Sequence, residues 1–262
     1  MKFGISTACF FTRKYTEDAL SYLADNGVKT AEVFLGTFSE YTKEFAKVLN
    51  ERKKDTEIRS VHALNTQFEP QLYNKYVRAK NDAFGVLDNV LDVAEEVGAK
   101  YLTFHGVARI KKTPINVDFD FIGERTNEII SHCKERGLAL SFENVHWAYY
   151  NEPGFFTELK KRCPGLRATL DVKQARQSGY PVEKYIEDMG SDISTLHLSD
   201  TDENGKIILP CKKGKTDLKE LKNRLLDVGF DGAVILEVYP DGYKDFSELT
   251  DSLLFVEETF AK

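Results

Sequence analysis

Leu138-Ala-Leu-Ser-Phe-Glu-Asn-Val145 and Leu166-Arg-Ala-Thr-Leu-Asp-Val172 decide the fold of this chain. Each is a short, mostly apolar run with one acidic residue near its C-terminal end. A strand exposed on one face alternates apolar with polar residues, whereas a strand covered on both faces reads as a near-continuous apolar run. Between these two runs, residues 153–162 carry helical spacing and stop at Cys163-Pro164-Gly165. The unit is therefore strand, helix, strand, and two strands joined in this way lie parallel.

Working outward, the unit recurs along the whole chain. Strand-like runs fall at 3–8, 30–35, 58–64, 101–107, 138–145, 166–172, 193–198 and 233–239. Helical patterns fall between them at 15–26, 39–54, 71–97, 119–136, 153–162, 182–189, 217–228 and 245–260. The longest of these, 71–97, has Leu72, Tyr76, Ala79, Ala83, Leu87, Val90 and Ala94 as its expected buried stripe, and Gly98 as its stop. Eight such units in 262 residues, with no linker and no low-complexity stretch, predict one (β/α)8 barrel over residues 1–262. An open doubly wound sheet usually carries a glycine-rich turn after its first strand. Here that turn reads Ser6-Thr7-Ala8-Cys9-Phe10, so the barrel is preferred.

Composition narrows the function. The apolar fraction, 42%, suffices for one large core. Lys and Arg number 36 against 42 Asp and Glu, a net charge of −6 that argues against coating nucleic acid or an anionic membrane. No run approaches the length of a membrane-spanning helix. The opening Met1-Lys2-Phe3-Gly4-Ile5-Ser6 runs into a strand without a leader pattern. Cys9, Cys133, Cys163 and Cys211 are scattered, with no C-x-x-C, as expected of reduced thiols in a cytoplasmic protein.

Ionisable groups inside buried strands are costly unless paired or metal-bound. Seven runs nonetheless carry one near the C-terminal end: Glu32, His62, His105, Glu143, Asp171, His197 and Glu237. Barrel geometry gathers those ends round one mouth, where substrates bind. Any one of them has a structural explanation; seven at matching positions point to a site. Glu32 reads equally well as a structural ion pair.

Leu140-Ser-Phe-Glu143-Asn144, Thr169-Leu-Asp171, Leu196-His197-Leu-Ser-Asp200 and Ile235-Leu-Glu237 carry a resemblance. The chain resembles, over essentially its whole length, the sugar phosphate isomerase/epimerase superfamily, the xylose isomerase-like TIM barrels. That group includes ketose 3-epimerases, hydroxypyruvate isomerases, inosose dehydratases and endonuclease-IV-like repair enzymes. The resemblance implies that Glu143, Asp171, His197 and Glu237 hold one divalent metal. It also implies that Glu143 and Glu237 act as the acid/base pair. Three carboxylates and one imidazole favour Mn²⁺, Mg²⁺ or Co²⁺ over a thiolate-type zinc site. Such an ion can polarise a sugar carbonyl, so that a carboxylate removes the adjacent carbon-bound proton and a second returns one.

The chain departs from the family at two places. Asp171 is followed by Val172-Lys173-Gln174, where many relatives have a histidine at the third position. Gln174 can still bond a substrate hydroxyl. Lys173 reads in two ways: outward to the helix ring or solvent, which is the default, or inward among the carboxylates, where it would stand in for the metal's charge. The loop Ile208-Leu-Pro210-Cys211-Lys212-Lys213-Gly214-Lys215-Thr216-Asp217 lacks an expected histidine and gains lysines. These could hold a substrate anion beside the helix that starts near Asp217. His146-Trp147-Ala-Tyr149-Tyr150, like Phe10 and Phe11, suits a pocket wall or a subunit contact.

The expected substrate contacts are thus His62, His105, Trp147, Lys173, Gln174, Lys212 and Lys213. The expected activity is metal-dependent isomerisation or epimerisation of a small sugar, sugar phosphate or polyol, in a monomer or a homo-oligomer. Rival readings are an inosose-type dehydratase on the same site and a metal-free sugar-binding or isomerase barrel using Lys173. A repair nuclease needs more metal-binding histidines than the five present, one of which, His132, falls in a helix.

Overall fold

The apolar runs pair edge to edge as parallel strands. In the computed structural model, which describes residues 1–64, 68–109, 116–212 and 214–261, the strands in chain order are β1 (Lys2–Ser6), β2 (Thr30–Leu35), β3 (Glu57–Ala63), β4 (Tyr101–Phe104), β5 (Ala139–Glu143), β6 (Arg167–Asp171), β7 (Ile193–Leu198), β8 (Asp200–Thr201), β9 (Ile207–Ile208) and β10 (Ala233–Leu236). Eight of them close into a barrel in the order β1-β10-β7-β6-β5-β4-β3-β2. β8 and β9 form a separate antiparallel pair just after β7. The expected (β/α)8 barrel is therefore present.

The helices of the described residues are α1 (Thr16–Asp25), α2 (Lys43–Arg52), α3 (Glu69–Leu72), α4 (Val77–Glu96), α5 (Phe119–Glu135), α6 (Phe155–Arg162), α7 (Val172–Gln177), α8 (Val182–Met189), α9 (Leu218–Asp227) and α10 (Ser247–Ala261). They cover the outside of the barrel, and their apolar stripes meet the outward faces of the strands. Leu20 and Leu23 of α1, Leu49 of α2 and Leu87, Val90 and Val93 of α4 are fully buried there. Each such side chain contributes about 1.5–3 kcal/mol through removal from water.

Several elements differ from expectation, and three of the differences have a local reason. The single helix expected over 71–97 is broken into α3 and α4. Asn74 Oδ1 accepts the backbone N–H of Tyr76 at 2.8 Å, a side-chain turn that competes with the helix. Tyr76, assigned to the buried stripe, is 62% exposed as a result. The run at 3–8 stops as a strand at Ser6, whose hydroxyl accepts from Ala8 N and starts a 3-10 turn over Thr7–Phe10. The short helix α7 was not expected. Asp171 ends β6 and caps this helix, its carboxylate accepting the N–H of Gln174 at 2.9 Å.

Register sets which side chains share a layer inside the barrel. Asp171 lies opposite His197 across β6 and β7, and Ile235 lies opposite His197 across β7 and β10. Glu32 lies opposite Ser6 on one side and Ser60 on the other. The barrel leaves no room for a side chain at Gly4, where a Cβ would stand 2.1 Å from the Thr30 carbonyl oxygen. No helix among the described residues is long and apolar enough to cross a membrane.

Candidate functional site

Three carboxylates converge on one imidazole at the mouth of the barrel. His197 Nδ1 is 3.2 Å from Glu237 Oε2, 3.6 Å from Glu143 Oε1 and 3.9 Å from Asp171 Oδ2. The residues come from four strand ends; Glu237 stands just beyond β10, where its N–H still bonds Leu198 O at 3.1 Å. All four are buried. The other ring nitrogen of His197, Nε2, lies 3.1 Å from the Glu32 carboxylate. An imidazole that gives its N–H to a buried carboxylate presents its remaining nitrogen to a metal.

Glu32 sits one layer deeper than the mouth. Its carboxylate accepts from Ser6 at 3.2 Å, Ser60 at 2.7 Å and Thr103 at 2.8 Å, and it faces His62 Nδ1 at 3.3 Å. It thus contacts two histidines, His62 and His197.

A second cluster adjoins the first. His62 Nε2 and His105 Nε2 are 2.8 Å apart, and Glu143 Oε2 lies 3.9 Å and 3.6 Å from them. His105 Nδ1 faces Glu69 at 3.3 Å. That carboxylate also accepts the N–H groups of His105 and Gly106, each at 2.9 Å. Sequence reasoning missed Glu69. It stands in a short helix, with no strand pattern to mark it as inward.

The remaining expected contacts are divided. Trp147 does lie at the mouth, its ring centroid 5.4 Å from that of His105. Phe11 also lines the pocket, while Phe10 is buried against Tyr22 and Phe246. Lys173 does not take its default outward course. Its side chain is only 2% exposed, and its ammonium pairs with Asp171 Oδ2 and, at 2.7 Å, with Glu237 Oε1. The charge of those carboxylates, 2 and 64 residues away, outweighs the cost of burying the amine. Gln174 spends its carbonyl oxygen on His146, 2.5 Å from that ring's Nδ1, rather than on the pocket. Lys212 is engaged with the last helix. Its segment packs on α10, where its ammonium pairs with Glu248 and Cys211 N bonds Ser252. Lys213 lies outside the described residues.

The charges of the cluster shift one another. Burial alone would raise Glu143 and Glu237, yet the neighbouring histidines, joined by Lys173 at Glu237, hold both carboxyls below their ordinary range. Asp171 goes the other way, up to about 7, because burial and the charges of Glu143 and Glu237 outweigh Lys173. Burial opposes the positive form of His62, but Glu32, Glu237 and Glu143 lift it to about 9. The same opposition, won by Glu237, Glu32 and Glu143, holds His197 well above an ordinary histidine.

These residues fit a divalent cation. Donor atoms of Glu143, Asp171 and His197 lie within 4.8 Å of one another, as do those of Glu32, His197 and Glu237 and those of His62, His105 and Glu143. Glu143 Oε2, His197 Nδ1 and Glu237 Oε2 are buried and have no hydrogen-bond partner. Buried polar atoms are rarely left so. Ligands about 2.0–2.2 Å from one ion stand roughly 3.0–3.6 Å apart, close to the spacings around His197 Nδ1. Beside the cluster opens a pocket of about 230 Å³, lined by His62, His105 and Glu237 with Phe11, Phe34, Trp147 and Tyr239 among its apolar walls.

Comparison with known proteins agrees with this architecture. The family model described as xylose isomerase-like TIM barrel matches residues 20–258. The fructoselysine 3-epimerase of Escherichia coli O157:H7 is 21% identical over 164 residues, 61% of this chain; the match spans only 60% of that enzyme's length. The structure of D-psicose 3-epimerase with D-tagatose from Clostridium cellulolyticum H10 superposes with a TM-score of 0.80 at 17% identity, covering 99% of each chain. The IolI protein with a bound zinc atom gives 0.78 at 16% identity, covering 99% of this chain and 96% of that one. At such identities the likeness to solved structures carries the fold, and the family model carries the membership: this chain belongs to the xylose isomerase-like TIM barrel family.

Proposed function

We propose that this chain is a metal-dependent isomerase or epimerase of a small sugar, sugar phosphate or related polyol. The observation that carries the reading is the convergence of Glu143, Asp171 and Glu237 on His197 Nδ1, with three buried polar atoms that make no hydrogen bond, beside a pocket of sugar size. Glu143, Asp171, His197 and Glu237 would hold one divalent ion. When bound, that ion supplies the Lewis acidity that polarises a carbonyl and acidifies the neighbouring C–H.

The protein's own groups do the rest. Glu237 lines the pocket and Glu143 stands behind its His62–His105 wall; one carboxylate takes the proton from carbon, and the other, having first taken up a proton from solvent, gives one back. Return to the opposite face of the same carbon is epimerisation; return to the adjacent carbon is isomerisation. His62 and His105, on the pocket wall, hydrogen-bond substrate hydroxyls. Trp147 packs against the C–H face of the sugar. Loss of water from a keto-polyol would use the same base and is a further outcome of the same chemistry.

The test combines metal removal with isotope exchange. Chelator-treated protein is assayed with a panel of ketoses and sugar phosphates in D₂O, with and without Mn²⁺, Mg²⁺ or Co²⁺. NMR should find deuterium entering the carbon beside the carbonyl only with metal present. Glu143→Gln and Glu237→Gln should each slow exchange and turnover by about 10²–10⁴. Full turnover in both variants would reject the two-carboxylate mechanism.

A further inference from the structure

Lys173 is the side chain for which this donor set has no evident need. It follows the first residue of α7, a position from which a long amine normally reaches water with its stem against the protein. Here it folds back over the end of β6 and into the barrel. One proton of the ammonium goes to Asp171 Oδ2 and one to Glu237 Oε1. On the pocket side the ring of Tyr239 covers it, 5.6 Å from Nζ to centroid. Asp171 is thereby fully engaged, since its other oxygen accepts Gln174 N at the start of the helix. Glu237 keeps only Oε2 for His197 Nδ1.

We infer that Lys173 is a built-in competitor for the divalent ion: it occupies the Asp171–Glu237 edge of the donor set, so that this chain holds its metal weakly and exchangeably. The inference rests on the reading that the donor set binds a divalent ion. Both carboxylates must be shared between ammonium and ion, and the two cations stand within a few ångströms in a buried site. Even at an effective dielectric constant of about 20, that repulsion is worth well over a factor of ten in affinity.

The test reads metal affinity directly. Wild type, Lys173→Met, Lys173→Gln and the charge-keeping Lys173→Arg are stripped with chelator. Their folding is checked by circular dichroism, and each is titrated with Mn²⁺ alone, free Mn²⁺ being followed by its EPR signal. Lys173→Met and Lys173→Gln should bind Mn²⁺ at least about tenfold more tightly than wild type. Lys173→Arg, which keeps the positive charge, should bind Mn²⁺ no more tightly than wild type. Adding Asp171→Asn to Lys173→Met should erase most of the gain. Equal or weaker binding by the folded Met and Gln variants, with wild type binding Mn²⁺, overturns this inference and leaves the proposed function standing. Failure of every protein to bind overturns both.

Discussion

At the scale of single residues, the site is a set of carboxylates whose partners fix what each can do. Glu143 and Glu237 each retain an oxygen without a hydrogen bond, whereas Asp171, Glu32 and Glu69 have theirs engaged. This division separates groups available for chemistry from groups that hold others in place. Glu69 is the clearest of the second kind, tying His105 through its ring and its backbone. Glu69→Gln should lower stability by about 1.5–3 kcal/mol, the usual worth of a hydrogen bond to a charged group, as read from urea midpoints. His62→Asn and His105→Asn should raise KM more than they lower bound Mn²⁺, because their place is against substrate hydroxyls. A loss of metal as large as that of Glu143→Gln would assign them to the ion instead.

At the scale of elements, the C-terminal ends of the strands and the residues just past them build the candidate site. His105 lies just past β4, Glu237 just past β10, and Lys173 two residues past β6. Gly106 makes the turn after β4 possible. Its φ is +76°, and a Cβ there would stand 2.5 Å from the Phe142 ring. Gly106→Ala should therefore cost about 1–3 kcal/mol in unfolding free energy through backbone strain and shift His105 enough to raise KM. An unchanged urea midpoint would mean that the turn relaxes without strain. The helix expected over 71–97 is broken between α3 and α4. Asn74 ends one helix there, and Glu69, ahead of the start expected at 71, opens the short α3 with its carboxylate on His105.

At the scale of the whole molecule, the ring of parallel strands brings Glu32 and Glu237, 205 positions apart in sequence, to the two ring nitrogens of His197. The last helix closes the outside of that ring, and the loop after β9 is fastened to it by Lys212. The Lys212 ammonium and the N–H groups of Asp245 and Lys244 hold the Glu248 carboxyl down to about 2, from an ordinary 4.5. A carboxyl so depressed contributes stability that is full above its unfolded pKa and is lost as the pH falls through the window from about 4.5 to about 2. Glu248→Gln should thus be less stable than wild type near neutral pH by on the order of 1 kcal/mol. The two proteins should converge as acid is added through that window; a constant gap in thermal midpoints would remove the ion pair from the account. The sequence by itself determined the alternation of strands and helices, the closure into a barrel, and the row of ionisable groups at the strand ends. All of these follow from apolar period and local stop signals, which are properties of neighbours in the chain. It could not determine the direction of Lys173, the pairing of Gln174 with His146 and of Lys212 with Glu248, the depth of Glu32, or the entry of Glu69. Those depend on partners brought near only when the barrel closes. Whether a buried charge points in or out is set by the field of such partners, which no local pattern records.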